Sequence, residues 1–255
     1  MMHDLQRADF WKRISAYIFD KIIVFILAAG FAFLFTTVLG TEAHSAKIRE
    51  RTEYYNDLYA TNISISEEEY DALSDAEKAK FDEATKAFNE DEAVLEAVYM
   101  VFNLTLITVT LSILLAYAIS EFAVPLFLKN GQTVGKKIFG LAVMRIDGVK
   151  VSAPIMFIRA ILGKCTIETL VPVMAIMAAM LIPTVFGLTG PVIAIAIPIV
   201  SLVTLVATKN RAPIHDLFAS TVTVDMSTQL IFDSEEEMLD YKKKLHAEMS
   251  EKTEY

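Results

Sequence analysis

The chain has 255 residues, 54% of them hydrophobic and 22% charged, with a mean hydropathy of +0.44. So apolar a chain with a near-normal charged fraction must segregate the two, which excludes disorder and an ordinary soluble enzyme and points to a multi-span membrane protein with soluble segments. The net charge of −9 comes from one stretch: residues 40–96 hold 16 acids and 6 bases, so everything else sums to +1.

The single Cys165 excludes an internal disulfide framework and a thiolate metal cluster, and His3, His44, His215 and His246 show no ligand spacing. No metal and no cofactor are expected. The lack of a basic stripe with interleaved aromatics argues against nucleic-acid binding.

Ile22 to Leu39 is a run of 18 residues without charge. It is too long for a signal peptide, follows 21 mixed residues and lacks a small-residue cleavage pattern, so it reads as a retained first helix. The acidic stretch that follows reads as a helical hairpin. Ile48, Tyr55 and Tyr59 share a face before a turn near Thr61–Ser64. Ser66 and Glu69 then form a capping box, and Tyr70, Leu73, Phe81 and Phe88 fall within about 80° on a helical wheel. Its charge reads as a solvated face, a partner-docking surface or a cation-attracting vestibule.

Val98 to Ser120 is a second uncharged run, of 23 residues, and Thr169 to Thr208 a third, of 40. About 20 apolar residues cross a bilayer, so the third run suggests two crossings, turned at Pro183, Gly187, Gly190 and Pro191. That leaves only Thr169 to Ile182 for the first of the pair, so its helix must begin earlier and carry Glu168, Lys164 and Arg159 toward the membrane. Four spans are predicted, near 15–39, 96–120, 160–182 and 191–208; a three-span reading with a re-entrant pair at 169–208 stays open.

Lysines and arginines set orientation. The loop from Lys129 to Arg159 carries six of them against one acid, Asp147; Arg7, Lys12 and Arg13 precede the first span, and Lys209 and Arg211 follow the last. With four spans all three groups share one side. Both termini are then cytoplasmic and the acidic segment outside.

In the basic loop, Leu141–Ile146 and Val149–Ser152 flank Asp147-Gly148, a strong hairpin signal, and Thr221–Val224 offers a third strand. Ser234 and Glu237 fit a second capping box, opening a cytoplasmic helix over 235–250. The expected fold is an all-α membrane protein with four transmembrane helices, an outer acidic helical hairpin and a small cytoplasmic β-hairpin. Its parts are a flank and first span (1–39), the acidic segment (40–95), the second span (96–128), the basic loop (129–159), the third and fourth spans (160–208), a His-Asp segment (209–225) and a helical tail (226–255).

Ionisable groups inside a membrane are costly and mark either fixed ion pairs or functional sites. Asp20 follows Arg13 by seven residues on one helix face, with Lys21 about 100° round; Glu121 ends the second span; Lys164 and Glu168 are an i,i+4 pair with Arg159 near it. Asp20, Glu121 and Glu168, with Arg13 and Arg159 as counter-charges, are the candidate ion or proton site. Close carboxylates raise each other's pKa and a cation lowers it, so a cluster of them can exchange a proton for a cation. No nucleophile elbow, metalloprotease motif or phosphate loop is present, so no enzyme activity and no catalytic residue are expected.

These residues lie in familiar company. Arg13-Ile-Ser-Ala-Tyr-Ile-Phe-Asp20 opens the first span, Glu121 closes the second, Gly131-Gln132-Thr133-Val134-Gly135-Lys136-Lys137 follows, and His215-Asp216-Leu-Phe-Ala-Ser220 comes after the last. This resembles the RDD family of bacterial membrane proteins, named for an arginine and two aspartates, here Arg13, Asp20 and Asp216. The resemblance covers 10–39, about 97–165 and 200–224, with Ser220 where the family usually has glycine; 40–93 and 226–255 look like additions.

It implies a multi-pass protein of the bacterial cytoplasmic membrane. Transport is the family's usual supposition, with monovalent cation/proton antiport ascribed to some members and regulation of membrane partners to others. Two readings therefore stand: a transporter, which four helices would build as a homo-oligomer, or an adaptor holding a membrane protein partner through the outer hairpin or the tail.

Overall fold

The computed structural model describes residues 8–128 and 130–253, with side chains to residue 247. Arg7 and Lys129, two bases of the orientation count, lie outside the described residues. The chain forms two compact units, one from the described parts of Met1–Ala28 and Ile113–Tyr255, the other from Ala29–Ser112.

Four helices are long and apolar enough to cross a membrane: α1 (Phe10–Val38), α5 (Glu92–Phe127), α7 (Ala153–Leu181) and α9 (Thr189–Ala207). At about 1.5 Å per residue even α9 reaches about 29 Å, close to the hydrocarbon thickness. The third span begins at Ala153, seven residues before 160, because its uncharged run alone is too short. It therefore carries Arg159, Lys164 and Glu168. A break at Ile182 and a single turn, α8 (Pro183–Phe186), separate it from α9, so the 169–208 stretch crosses twice by length.

The second unit holds α2 (Thr41–Tyr59), α3 (Glu67–Asp71) and α4 (Asp75–Glu90). The hairpin forms: Tyr55 meets Phe88 edge to face at 5.9 Å, and Arg51 Nε donates to Asp91 Oδ2 at 2.7 Å. Its return limb is two helices rather than one, because Ser74 and Glu77 make a second capping box that restarts the chain after Leu73. The Tyr70 and Phe81 rings, 4.9 Å apart, bridge the break.

The first unit also holds α6 (Val134–Ile138), β1 (Leu141–Arg145), α10 (Ile214–Phe218), β2 (Thr221–Asp225) and α11 (Glu235–Thr253). The expected small antiparallel β element forms, with its main ladder on the 221–225 strand rather than on 149–152. The Asp147-Gly148 turn closes, with Gly148 N donating to Arg145 O at 3.0 Å, but only one bridge, Met144 to Lys150, crosses it. The ladder runs from β1 to β2, antiparallel, Leu141 opposite Asp225. Ala142, Met144, Val222 and Val224 bury a common apolar face there, which the short 149–152 segment cannot supply before Ser152 and Pro154 open α7. The 149–152 segment also pairs with the tail: Val149 bridges Phe232, and Met238 of α11 packs on both.

Candidate functional site

The site forms where the charged ends of α1, α5 and α7 meet α6 and α10. Thr133 caps α6, its Oγ1 accepting from Lys136 N at 3.3 Å. The N-terminus this creates holds Asp20. Gly135 N donates to Asp20 Oδ1 at 2.7 Å, the Thr133 hydroxyl donates to Oδ2, and Lys136 Nζ lies 3.5 Å from Oδ2. Backbone N–H groups and the helix dipole both favour an anion at this point. Gly135 is required: a Cβ there would stand 2.5 Å from Ala16 O and 2.8 Å from Asp20 Oδ1. The Gly-Gln-Thr-x-Gly-Lys motif is thus a cradle for the Asp20 carboxylate.

Glu121 and Arg159 sit in stretches where the helix widens to i→i+5 hydrogen bonding, 118–123 in α5 and 158–170 in α7. The widening sets which residues share a face. At about 100° per residue, Arg159 and Glu168 would lie on roughly opposite sides of an α-helix. At roughly 4.4 residues per turn, the nine-residue step from one to the other makes about two turns, so Arg159, Lys164 and Glu168 line up.

Each then meets its own partner. Lys164 Nζ is 2.5 Å from Glu121 Oε2 rather than paired along its helix with Glu168. Arg159 Nε donates to Asp216 Oδ1 at 2.7 Å, and Thr221 Oγ1 donates to the same oxygen at 2.6 Å. Arg13 Nη2 lies 3.9 Å from Asp216 Oδ2. Glu168 Oε1 accepts from Ser201 Oγ of α9 at 2.9 Å and from His215 N at 3.2 Å, and His215 Nδ1 lies 3.0 Å from both Glu168 oxygens. Gly163 lets α10 come this close, since a Cβ would stand 2.7 Å from His215 Cβ.

Asp20 and Glu121, both buried, and the partly buried Glu168 are therefore brought into one charged cluster but not onto a shared point. Lys136 links the first two, feeling Asp20 and Glu121 as well as Lys164 and Arg159. Burial and the two neighbouring cations lower its pKa to about 8. Burial likewise lowers His215, against the raising pull of Asp216 and Glu168. For Asp216 burial acts upward, but the Arg159 charge and the hydrogen bonds from Arg159 and Thr221 hold the carboxyl well below the usual range.

Sequence reasoning did not single out Ser201, Thr221 and His215. His215 was legible only as the neighbour of Asp216. Lys21 turns away from Asp20: it hydrogen-bonds Tyr117 OH, lies 3.5 Å from Thr169 Oγ1 and stands 5.4 Å over the Tyr17 ring.

A cavity of about 380 Å³ opens on this cluster. Its polar wall presents Arg13, Lys136, Arg159 and Lys164 against Glu168 and Asp216, while Asp20 and Glu121 do not line it. With His215 uncharged, the wall carries two more positive than negative charges.

A family model described as the RDD family matches residues 7–220. That match runs through all four membrane-length helices and every residue of the charged cluster except Thr221, and ends before the α11 tail. No characterised protein and no solved structure matches the chain. The match covers most of the chain, Arg13, Asp20 and Asp216 included, and the chain belongs to the RDD family of membrane proteins.

Proposed function

We propose that this protein is a proton-linked membrane transporter rather than an enzyme, with the His215–Glu168 pair as its proton-carrying unit and the adjoining cavity as its substrate site. The observation behind the reading is one hydrogen-bonded pair that joins α7, α9 and α10 and lines the cavity. Glu168 differs from Asp20, Glu121 and Asp216 in having no lysine or arginine within ion-pair distance among the described residues. A proton reaching the pair therefore meets an imidazole and a carboxylate already in hydrogen-bond contact, and its arrival changes how α9 is held to α7 through Ser201.

Monovalent cation/proton antiport is one form of this activity. The cavity wall speaks against a bare cation at its centre, because such an ion would enter against Arg13, Lys136, Arg159 and Lys164. In orientation, the basic end of the bundle faces the cytoplasm of a bacterial cell and the 41–90 helices face outward, following the lysine and arginine bias of the short segments. The adaptor reading rests on α2–α4 and α11, which the antiport chemistry does not use.

The test is proton movement in proteoliposomes holding the purified full chain and a lumenal pH dye. An imposed gradient of a transported solute changes lumenal pH with the wild type and not with Glu168→Gln inserted at equal yield. Equal rates for the two proteins, or no proton movement with any solute, refute the proposal.

A further inference from the structure

The cavity has a chemistry more specific than its place beside a proton-carrying pair. Arg159 is 1% exposed in its side chain and Arg13 8%. Each has a buried guanidinium nitrogen, Nη1, without a hydrogen-bond partner among the described residues, and both residues line the cavity. Buried donors of this kind are costly to leave unpaired, and arginine pairs best with carboxylate or phosphate oxygens. Lys136 and Lys164 add positive charge to the same wall, while their nearest carboxylates, Asp20 and Glu121, lie outside the lining.

Much of the remaining lining is apolar and comes from two membrane helices. Ile14 and Ile18 of α1 line the cavity together with Pro198, Leu202 and Leu205 of α9. Ile18 is 52% and Leu202 54% exposed, and α1 and α9 do not pack together as α7 and α9 do. A charged wall backed by exposed apolar side chains suits a ligand with an anionic head and an apolar body. Basic pockets between membrane helices at headgroup level bind phosphate-bearing lipids by this combination. The volume of about 380 Å³ is in the range of small-ligand sites, enough for a headgroup and not for acyl chains, which would leave between α1 and α9.

Asp216 Oδ2 is likewise buried and has no hydrogen-bond partner among the described residues. It stands 3.9 Å from both Arg13 Nη2 and His215 Nε2. Its charge is opposed by Arg159 and Arg13 together, so it lowers the positive potential of the wall without reversing it.

We infer that the cavity binds a phosphate oxyanion through Arg13 and Arg159, with Lys136 and Lys164 supplying the field, and that the phosphate arrives as the headgroup of an anionic phospholipid entering between α1 and α9. The inference shares its cavity with the transport reading but is tested by binding, without transport. A free phosphate would use the same two guanidinium groups, and the experiment separates the two sources.

The purified full chain, stripped of lipid in a neutral detergent, is melted with added phosphatidylglycerol, phosphatidylcholine or inorganic phosphate, and bound lipid is counted by native mass spectrometry. Phosphatidylglycerol raises the melting temperature and stays bound; phosphatidylcholine does neither. Arg13→Gln weakens apparent phosphatidylglycerol affinity about tenfold or more, the loss expected for one charge-assisted hydrogen bond. Leu202→Trp narrows the lateral opening without touching the charged wall and weakens lipid binding by a similar factor. A response to inorganic phosphate that Arg13→Gln abolishes, with none to the lipid, keeps the oxyanion site and overturns the lipid source. Indifference to all three additives, or phosphatidylglycerol binding unchanged in both variants, overturns the inference. Lipid binding without proton movement would refute only the transport reading; proton movement without phosphate or lipid binding would refute only this one.

Discussion

Removing either partner of the Arg159–Asp216 pair exposes how strongly the charged cluster holds the bundle. Both side chains are 1% exposed and joined at 2.7 Å, and Asp216 Oδ1 also accepts the Thr221 hydroxyl. Asp216→Ala leaves Arg159 buried with no carboxylate at hydrogen-bond distance, and Arg159→Met leaves Asp216 with Thr221 and the more distant Arg13. Breaking a buried pair from one side costs about 3–5 kcal/mol, because a charge is stranded, whereas replacing both partners by apolar groups is often near neutral. Each single variant should lose about 3–5 kcal/mol, and Arg159→Met/Asp216→Leu should lose less than either, giving a coupling of about 3 kcal/mol or more. Arg13, 3.9 Å from the other oxygen with no hydrogen bond between them, should couple to Asp216 more weakly, by about 0.5–1 kcal/mol. Reversible unfolding in detergent, read by tryptophan fluorescence from Trp11 and by circular dichroism, measures all three. Additive losses for Arg159 and Asp216, or a stronger coupling to Arg13, would refute the reasoning.

Ser220 holds φ at +50°, where a Cβ costs about 1–2 kcal/mol, so Ser220→Gly should raise stability by about 0.5–1 kcal/mol after glycine's own entropy is counted; a lower melting temperature would contradict this. Gly135→Ala should cost about 1–3 kcal/mol through overlap with Ala16 O and Asp20, and a neutral result would show that the Asp20 cradle is loose. Burial lowers the pKa of His215, so the unfolded chain binds the proton more readily; stability from this group is present above about pH 6.5 and falls as pH drops through that value toward the lower folded pKa. His215→Gln should flatten that slope, and an identical slope in the variant would assign it elsewhere. For topology, a cysteine at Glu77 should be labelled by an impermeant reagent in intact cells and one at Asn130 should not; the reverse pattern would invert the orientation.

The spans were legible because uncharged runs of 18, 23 and 40 residues have no other stable home, and the charged residues that α7 must draw inward followed from length alone. The motif residues were legible as a set, but what Gly131–Lys136 does was not: a five-residue helix closing on Asp20 more than a hundred positions away is a tertiary fact. The Asp147-Gly148 turn forms as its signal implied, but the longer ladder of β1 is with 221–225, where four apolar side chains are buried together. The pairing of Lys164 with Glu121 was hidden because helical spacing offers Lys164 only Glu168, while the neighbour across the bundle is invisible in one chain's periodicity. Ser74 was legible and overlooked, since Ser-Asp-Ala-Glu carries the same capping signature as Ser66 to Glu69.

Nitrogen NMR of histidine-labelled full chain reads directly whether His215 and Glu168 form one protonatable unit beside the cavity. His215, assigned by comparison with His215→Gln, should take its second proton only below pH 6.5. Glu168→Gln should move that transition lower still, because Glu168 is one of the two groups raising it. A His215 that titrates at or above 6.5, or one indifferent to Glu168→Gln, would contradict the account.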